Sequence, residues 1–248
     1  MRVLVVTAVA AECDAVCGAG EAYGSRTLPG GYELHRAPGG SPAPDVLAAG
    51  VGPAAASAGT ATALTAAALA GEPYGLVVSA GIGGGFAPAA PLGSVVVADA
   101  IVAADLGAET PDGFVPVTEL GFGTVAHRPD PALVRAVAAA AGAAAGPVVT
   151  VSTVTGSAAR AAELAARHPG VLAEAMEGFG VAEAAAAHRL PVLEIRTVSN
   201  AVGPRDRAAW RIGPALAALT GAFRTFPDAL TAAAGPAPGT APSPRRTP

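Results

Sequence analysis

Bond-breaking chemistry has few candidate side chains in this chain, and the best placed of them are acidic. Glu12 comes shortly after the apolar run Val3 to Val6, and Glu177 lies within Ala175-Met176-Glu177-Gly178-Phe179-Gly180, where a helix should open. Carboxylates at such positions can move protons or balance a cationic centre. Each also has a structural reading, because glutamate near a helix start is favoured by the macrodipole and by capping. A third polar point follows the apolar run Val192 to Val198, where Ser199 and Asn200 stand side by side; a turn-forming asparagine is the plain alternative there.

Other chemistries find less support. The stretch Ser79 to Gly85 resembles a dinucleotide-binding turn, with Asp99 at a suitable distance downstream. Yet Phe86 stands where the third glycine belongs, and Pro88 and Pro91 block the helix that would hold a pyrophosphate. Close backbone approach to a ligand and a purely structural turn both stay open. There is no Gly-x-Ser-x-Gly elbow, and the 4 histidines are scattered. Cys13 and Cys17 lie four apart in a segment that could be helical, which is half a metal site. With no second cysteine pair or sequence-adjacent histidine, they read as unpaired thiols in a reducing compartment, and no metal or cofactor is expected.

The formal charge is −4, and no basic cluster occurs outside Arg245 and Arg246, so nucleic acid is an unsuitable partner and a small molecule a better one. No apolar run reaches the ~18 residues of a membrane span. The opening Arg2 to Ala11 mimics a signal peptide but reads better as a strand, since its charged region is minimal and Glu12 follows at once. A cytoplasmic protein is expected.

The elements that must position these residues alternate between strand and helix. Hydrophobic residues make up 52% of the 248 and aromatics 4%, so the core must be closely packed Ala, Val and Leu. Strands are expected at Val3 to Val6, Val46 to Ala49, Leu76 to Ser79, Ser94 to Val102, Val148 to Val151 and Val192 to Val198. Helices are expected at Ala54 to Leu69 behind Pro53, Pro131 to Ala141, Ser157 to Arg167, Glu177 to Arg189 and Pro214 to Ala234. Ala104 to Ala126 reads as a long functional loop and 235–248 as a disordered, Pro-rich tail. The pattern predicts a single-domain, three-layer α/β/α fold over residues 1–234 with a central mixed sheet. Loops at Thr7 to Glu12, Gly81 to Gly85 and Ser199 to Gly203 would then converge at the carboxyl ends of strands.

Strand then Glu12, Val51-Gly52-Pro53, the Ser79 to Gly85 segment, Ala175-Met176-Glu177 and Val198-Ser199-Asn200 occur in the order and spacing of the nucleosidase branch of the purine nucleoside phosphorylase superfamily. The resemblance spans Arg2 to Leu230, and Ser199 to Arg207 with Trp210 resembles the futalosine hydrolases of menaquinone biosynthesis. It implies a nucleoside phosphorylase-like fold, a homo-oligomer, a nucleoside substrate, and hydrolysis of futalosine to hypoxanthine and dehypoxanthinyl futalosine. By analogy with methylthioadenosine/S-adenosylhomocysteine nucleosidase, Glu12 would activate water, Glu177 would bind the ribose hydroxyls, and Met176 would pack on the sugar. Asn200 would face the base; those nucleosidases carry Asp there, and an amide suits a 6-oxopurine because its NH2 can donate to the oxo group. Gly81, Ile82, Val154, Phe179, Ser199 and Arg205 complete the expected substrate contacts, with Arg207 and Trp210 as further contributors. Ile82 departs from the family's Ser. The glycine segment lacks the arginine that phosphorylases bring to phosphate, although Arg36 or Arg205 could reach the site. A purine nucleosidase of other specificity, a 6-oxopurine phosphorylase and a non-catalytic nucleoside binder are the rival readings.

Overall fold

The computed structural model describes residues 1–20, 22–39 and 42–234; the expected tail, 235–248, lies outside the described residues. The elements in chain order are β1 Val3–Thr7, α1 Ala10–Cys17, β2 Gly24–Thr27, β3 Glu33–Arg36, β4 Asp45–Ala48, α2 Pro53–Leu69, β5 Leu76–Gly85, β6 Val95–Ala103, β7 Gly107–Thr110, β8 Gly113–Pro116, β9 Ala126–His127, α3 Pro131–Ala141, β10 Ala144–Thr150, α4 Ala158–Arg167, β11 Ala173–Ala175, α5 Gly178–Ala187, β12 Val192–Ala201 and α6 Ile212–Ala233.

The main sheet runs β11-β10-β6-β12-β5-β1-β4-β3-β2; β12, β5, β1 and β4 pair in parallel, as do β6, β10 and β11, while β6–β12, β4–β3 and β3–β2 are antiparallel, so it is mixed as expected. Strand β11 pairs with both β10 and β5, which curls that end of the sheet into a closed loop of strands. Alternate side chains of β1 face opposite layers: Leu4 and Val6 meet Ala63 and Leu64 of α2 and Ala182 of α5, while Val3 and Val5 meet Cys13 and Val16 of α1 and Phe223 and Phe226 of α6. The small side chains of α2 and α5 let those helices sit close to the sheet and to each other. At Gly180 an added Cβ would run into the backbone of Pro53.

Three expectations about local structure are corrected. Gly81 to Gly85 is the second half of β5 rather than a turn, and none of these glycines has a positive φ. Glycine is needed there because neighbouring strands press in: a Cβ on Gly83 would stand 2.8 Å from the Glu174 carbonyl oxygen, and one on Gly84 2.9 Å from Val202. Ser199 and Asn200 likewise belong to β12 and not to a loop after it. Ala104 to Ala126 is not one long loop, because β7 and β8 form a hairpin within it and β9 joins β6. Four-residue strands separated by Gly and Pro are too short to show a period in sequence.

Candidate active site

The carboxyl ends of β1, β5 and β12 converge on a cavity of about 360 Å³, within the range of small-molecule sites. Two larger hollows, about 440 Å³ beside Arg2 and Arg36 and about 590 Å³ beside Arg160 and Glu163, are lined by surface charges already paired with one another. The cavity at the strand ends has three buried glutamates in its wall, Glu12, Glu174 and Glu177.

Glu12 reaches it from the first turn of α1 and is 4% exposed. Its Oε2 accepts from the backbone N–H of Ala8 at 3.0 Å and Val9 at 3.3 Å, and its Oε1 from Ile82 at 2.9 Å. The capping reading is therefore correct in part, since Glu12 closes back on the residue that opens α1. The bond to Ile82 adds something different: it ties the carboxylate to β5 and into the cavity wall. Gly81 makes room, because a Cβ there would stand 2.5 Å from Glu12 Oε1 and 2.8 Å from Arg196 Nη1. Burial raises the Glu12 pKa above the ordinary glutamate value, against the lowering effects of the Arg196 charge and the Ile82 and Ala8 N–H groups.

Glu177 stands at the amino end of α5, where its Oε1 accepts from Gly52 N–H at 3.2 Å and its Oε2 lies 3.3 Å from Arg196 Nη1. Gly52 has φ 92°, a value that suits glycine and points its N–H inward just before α2.

Beneath both glutamates lies a charged group that the motif reading missed. Arg196 is fully buried, with Nε 2.8 Å from Glu194 Oε1 and Nη2 donating to Ser79 Oγ at 2.9 Å. Burial works against its charge, but Glu194, Glu177 and Glu12 outweigh it and hold the guanidinium pKa above normal. Glu194 is itself pushed up by burial, with Arg196 opposing. A signal was present in the sequence: Glu194 and Arg196 are i, i+2 charges in an otherwise apolar strand, so both must face one layer and pair there.

Asn200 arrives by a bulge. Val198 pairs with Gly83 and Asn200 with Gly84, leaving Ser199 as the extra residue. The Ser199 hydroxyl lies 2.9 Å from Asn200 Oδ1 and 3.2 Å from the Gly83 carbonyl oxygen, and Asn200 Nδ2 donates to the Ala201 carbonyl at 3.1 Å. The amide thereby has one orientation, with a proton of its NH2 left for a ligand.

Of the residues expected from sequence, the structure brings Glu12, Ile82, Val154, Met176, Glu177, Ser199 and Asn200 into the wall of this cavity, together with Trp210. Gly81 lies behind Glu12. Phe179 is placed elsewhere: it is buried against His127, with ring centroids 5.3 Å apart, and lines a separate hollow. Arg205 does not line the cavity; it stacks 5.5 Å over Trp210, as Arg207 does at 5.8 Å. Arg36 pairs with Glu72 at 3.0 Å beside a different hollow. Ala8, Val9, Gly83 and Gly84, from segments expected to converge here, and Val51 and Ala175, from the quoted motifs, join the wall, and Glu174 joins it from outside any expected segment. All but Glu174 do so through backbone or apolar surface, so their segments were expected but not the individual residues. Glu174 is an exception; it fastens the Val154 segment by accepting from the N–H of Thr155 at 2.9 Å and from its hydroxyl.

Residues 2–221 match the model of the family described as the phosphorylase superfamily. The chain belongs to the phosphorylase superfamily. Curated relatives within reach include futalosine hydrolase of Streptomyces coelicolor, 71% identical over 222 residues covering 90% of this chain and 93% of that protein. Futalosine hydrolase of Acidothermus cellulolyticus is 46% identical over 225 residues, covering 89% and 88%. Among solved structures, the 5'-methylthioadenosine/S-adenosylhomocysteine nucleosidase of Colwellia psychrerythraea, in complex with adenine, superposes with a TM-score of 0.78 at 21% identity, covering 93% of this chain and 96% of that one. The corresponding nucleosidase of Neisseria meningitidis gives 0.76 at 20% identity, covering 93% and 99%. Those structural likenesses establish the nucleoside phosphorylase-like fold of this superfamily member. Among the described residues, no helix is long and apolar enough to cross a membrane.

Proposed function

We propose that this chain hydrolyses the N-ribosidic bond of futalosine, releasing hypoxanthine and dehypoxanthinyl futalosine. One observation carries the mechanism: Glu12, Glu177 and Asn200, far apart in sequence, share one cavity. The 71% identity to a futalosine hydrolase carries the substrate.

Glu12 takes a proton from water as the water oxygen bonds to the anomeric carbon. The carbon–nitrogen bond breaks with its electron pair moving into the purine, and the purine leaves after gaining a proton, so the sum is substrate plus water giving two products. Glu177 accepts from the ribose hydroxyls and, with Glu12 and Glu194 set around the single Arg196 guanidinium, leaves the floor negative enough to favour a cationic sugar. Met176 packs on the sugar. Asn200 donates its NH2 to the 6-oxo oxygen, and the second lone pair of Oδ1 accepts from a protonated N7. Ile82, Val154 and Trp210 supply apolar wall, while Ser199 holds the amide. No described residue lining the cavity is an arginine, and Arg196 is already engaged by Glu194 and Glu177, which favours water over phosphate as nucleophile.

In this reading residues 1–234 act as one catalytic domain. The protein is a cytoplasmic homo-oligomer, a state supported by its free thiols and by exposed Leu69, Leu106 and Phe122. The test is incubation with futalosine, inosine and methylthioadenosine side by side, with and without phosphate, measuring free base. Phosphate-independent release from futalosine is expected; release from inosine only when phosphate is present would contradict it.

A further inference from the structure

On a different stripe of α1 from Glu12, two thiols and an imidazole come together. Cys13 and Cys17 are one helical turn apart and so occupy one stripe of α1. That stripe packs over β4 and its neighbour β3, where His35 pairs in register with Val46. Strand alternation sends Leu34 to the other layer and His35 to the layer of α1. The result is that the ligand atoms of Cys13, Cys17 and His35 all lie within 4.8 Å of one another, although no histidine is near either cysteine in sequence. Cys13 is buried, Cys17 and His35 half-buried, and neither cysteine is in a disulfide.

We propose that these three side chains bind a thiophilic divalent cation, zinc in the first instance. Two sulfurs and one imidazole nitrogen are a donor set suited to zinc. Zinc–sulfur bonds of about 2.3 Å and zinc–nitrogen bonds of about 2.0–2.1 Å place tetrahedral ligands about 3.5–3.8 Å apart. Small side-chain rotations bring the trio to that spacing. The two thiols each lose a proton as zinc binds, so one Zn²⁺ is exchanged for two H⁺ and the bound unit carries no net charge. Three protein ligands leave one tetrahedral position for solvent or an added ligand. The cation would pin α1 to the edge hairpin of β2 and β3, which stabilises the folded chain in proportion to occupancy.

The experiment uses the full, untagged chain, reduced and stripped with chelator. After Zn²⁺ addition and gel filtration we expect one equivalent of zinc per chain, a higher Tm, and protection of Cys17 from alkylation. With Co²⁺ in its place, sulfur-to-metal charge-transfer absorption is expected. Cys17→Ser should abolish the charge-transfer band and His35→Ala should lower zinc occupancy at least tenfold, while His35→Ala keeps both thiols available for alkylation. Substoichiometric zinc in the unmutated chain, unchanged alkylation of Cys17 on zinc addition, or full occupancy in the His35→Ala variant would each overturn the proposal. Hydrolysis is not part of the readout, so failure here leaves the catalytic reading untouched.

Discussion

Glu12 does two jobs with one carboxylate, and they can be separated. Gln at position 12 keeps one acceptor oxygen, enough for the N–H groups of Ala8 and Val9, but turns its NH2 toward the Ile82 N–H and cannot take a proton. We therefore expect Glu12→Gln to lower kcat by about 10²–10⁴ with little change in KM, and to lower Tm through the lost Ile82 bond. Because burial raises the Glu12 pKa, and a base works only when deprotonated, activity should fall as pH drops through a value above that of an ordinary glutamate. A pH–rate profile checks this; an acid limb at or below pH ~4.3, the unperturbed value, would show that another group titrates. Asn200 should set the choice of base. Asn200→Asp is expected to lower kcat/KM on the 6-oxopurine substrate by roughly 10–100-fold, since a buried hydrogen bond of about 1–3 kcal/mol is replaced by a mismatch. Equal activity of this variant on futalosine would mean that the amide does not read the base. Glu12, Glu177 and Asn200 were visible in the sequence as polar residues beside apolar runs, but each alone reads equally as a cap or a turn, and the family resemblance supplied their roles. Phe179 has core packing as its alternative reading and Arg205 a solvated surface charge, and outside the cavity wall Phe179 packs on His127 while Arg205 lies over Trp210.

At the scale of elements, β12 carries more of the site than any other strand: Glu194 and Arg196 below, Ser199 and Asn200 above, with a bulge between Val198 and Asn200. The Glu194 member of its buried charged pair has no spare partner, since Glu194 Oε2 accepts no hydrogen bond among the described residues. Removing one member leaves the other charged and desolvated. Arg196→Met should cost about 3–5 kcal/mol of stability, read by urea or thermal unfolding, and Glu194→Leu added to it should recover part of that loss. An Arg196→Met variant within 1 kcal/mol of the parent, a threshold set by ordinary surface substitutions of about 0.5 kcal/mol, would show that the pair is not an obligate charge pair. Gly178 tests the same layer from α5, for its Cβ would overlap the Glu194 carboxylate. Gly178→Ala should lower Tm, whereas alanine in an open helix position should raise it. Long elements such as α2 and α3 were readable from the Pro at their start and, for α2, an Ala-rich run closed by Gly71. The carboxyl halves of β5 and β12 were not, because Gly and Ser-Asn signal turns locally, while here the demand for close strand approach overrides that preference.

For the whole molecule, the layered α/β/α arrangement follows from the alternation of apolar runs, and the carboxyl-end rule for parallel strands correctly located the crevice. What sequence could not supply is the return of β11 to β5, a contact of two residue pairs that closes the sheet and forms the back of the cavity. It depends on a side chain being absent at Gly83, where a Cβ would stand 2.8 Å from the Glu174 carbonyl oxygen. The same global view explains why His35 escaped notice beside Cys13 and Cys17: its proximity is a product of the β3–β4 register. Exposed apolar side chains at Val51, Leu69 and Phe122 lead us to expect that sedimentation will report a homo-oligomer; a species at the 23.7 kDa of one chain would refute that.

Single-turnover reaction of futalosine in isotopically labelled water, without phosphate, tests most directly whether Glu12 delivers water to the sugar. We expect hypoxanthine to appear with one labelled oxygen on the anomeric carbon of the other product, and expect the Glu12→Gln variant to slow both together. Base release that requires phosphate, or that proceeds at the parent rate in Glu12→Gln, would contradict a water-activating carboxylate in this cavity.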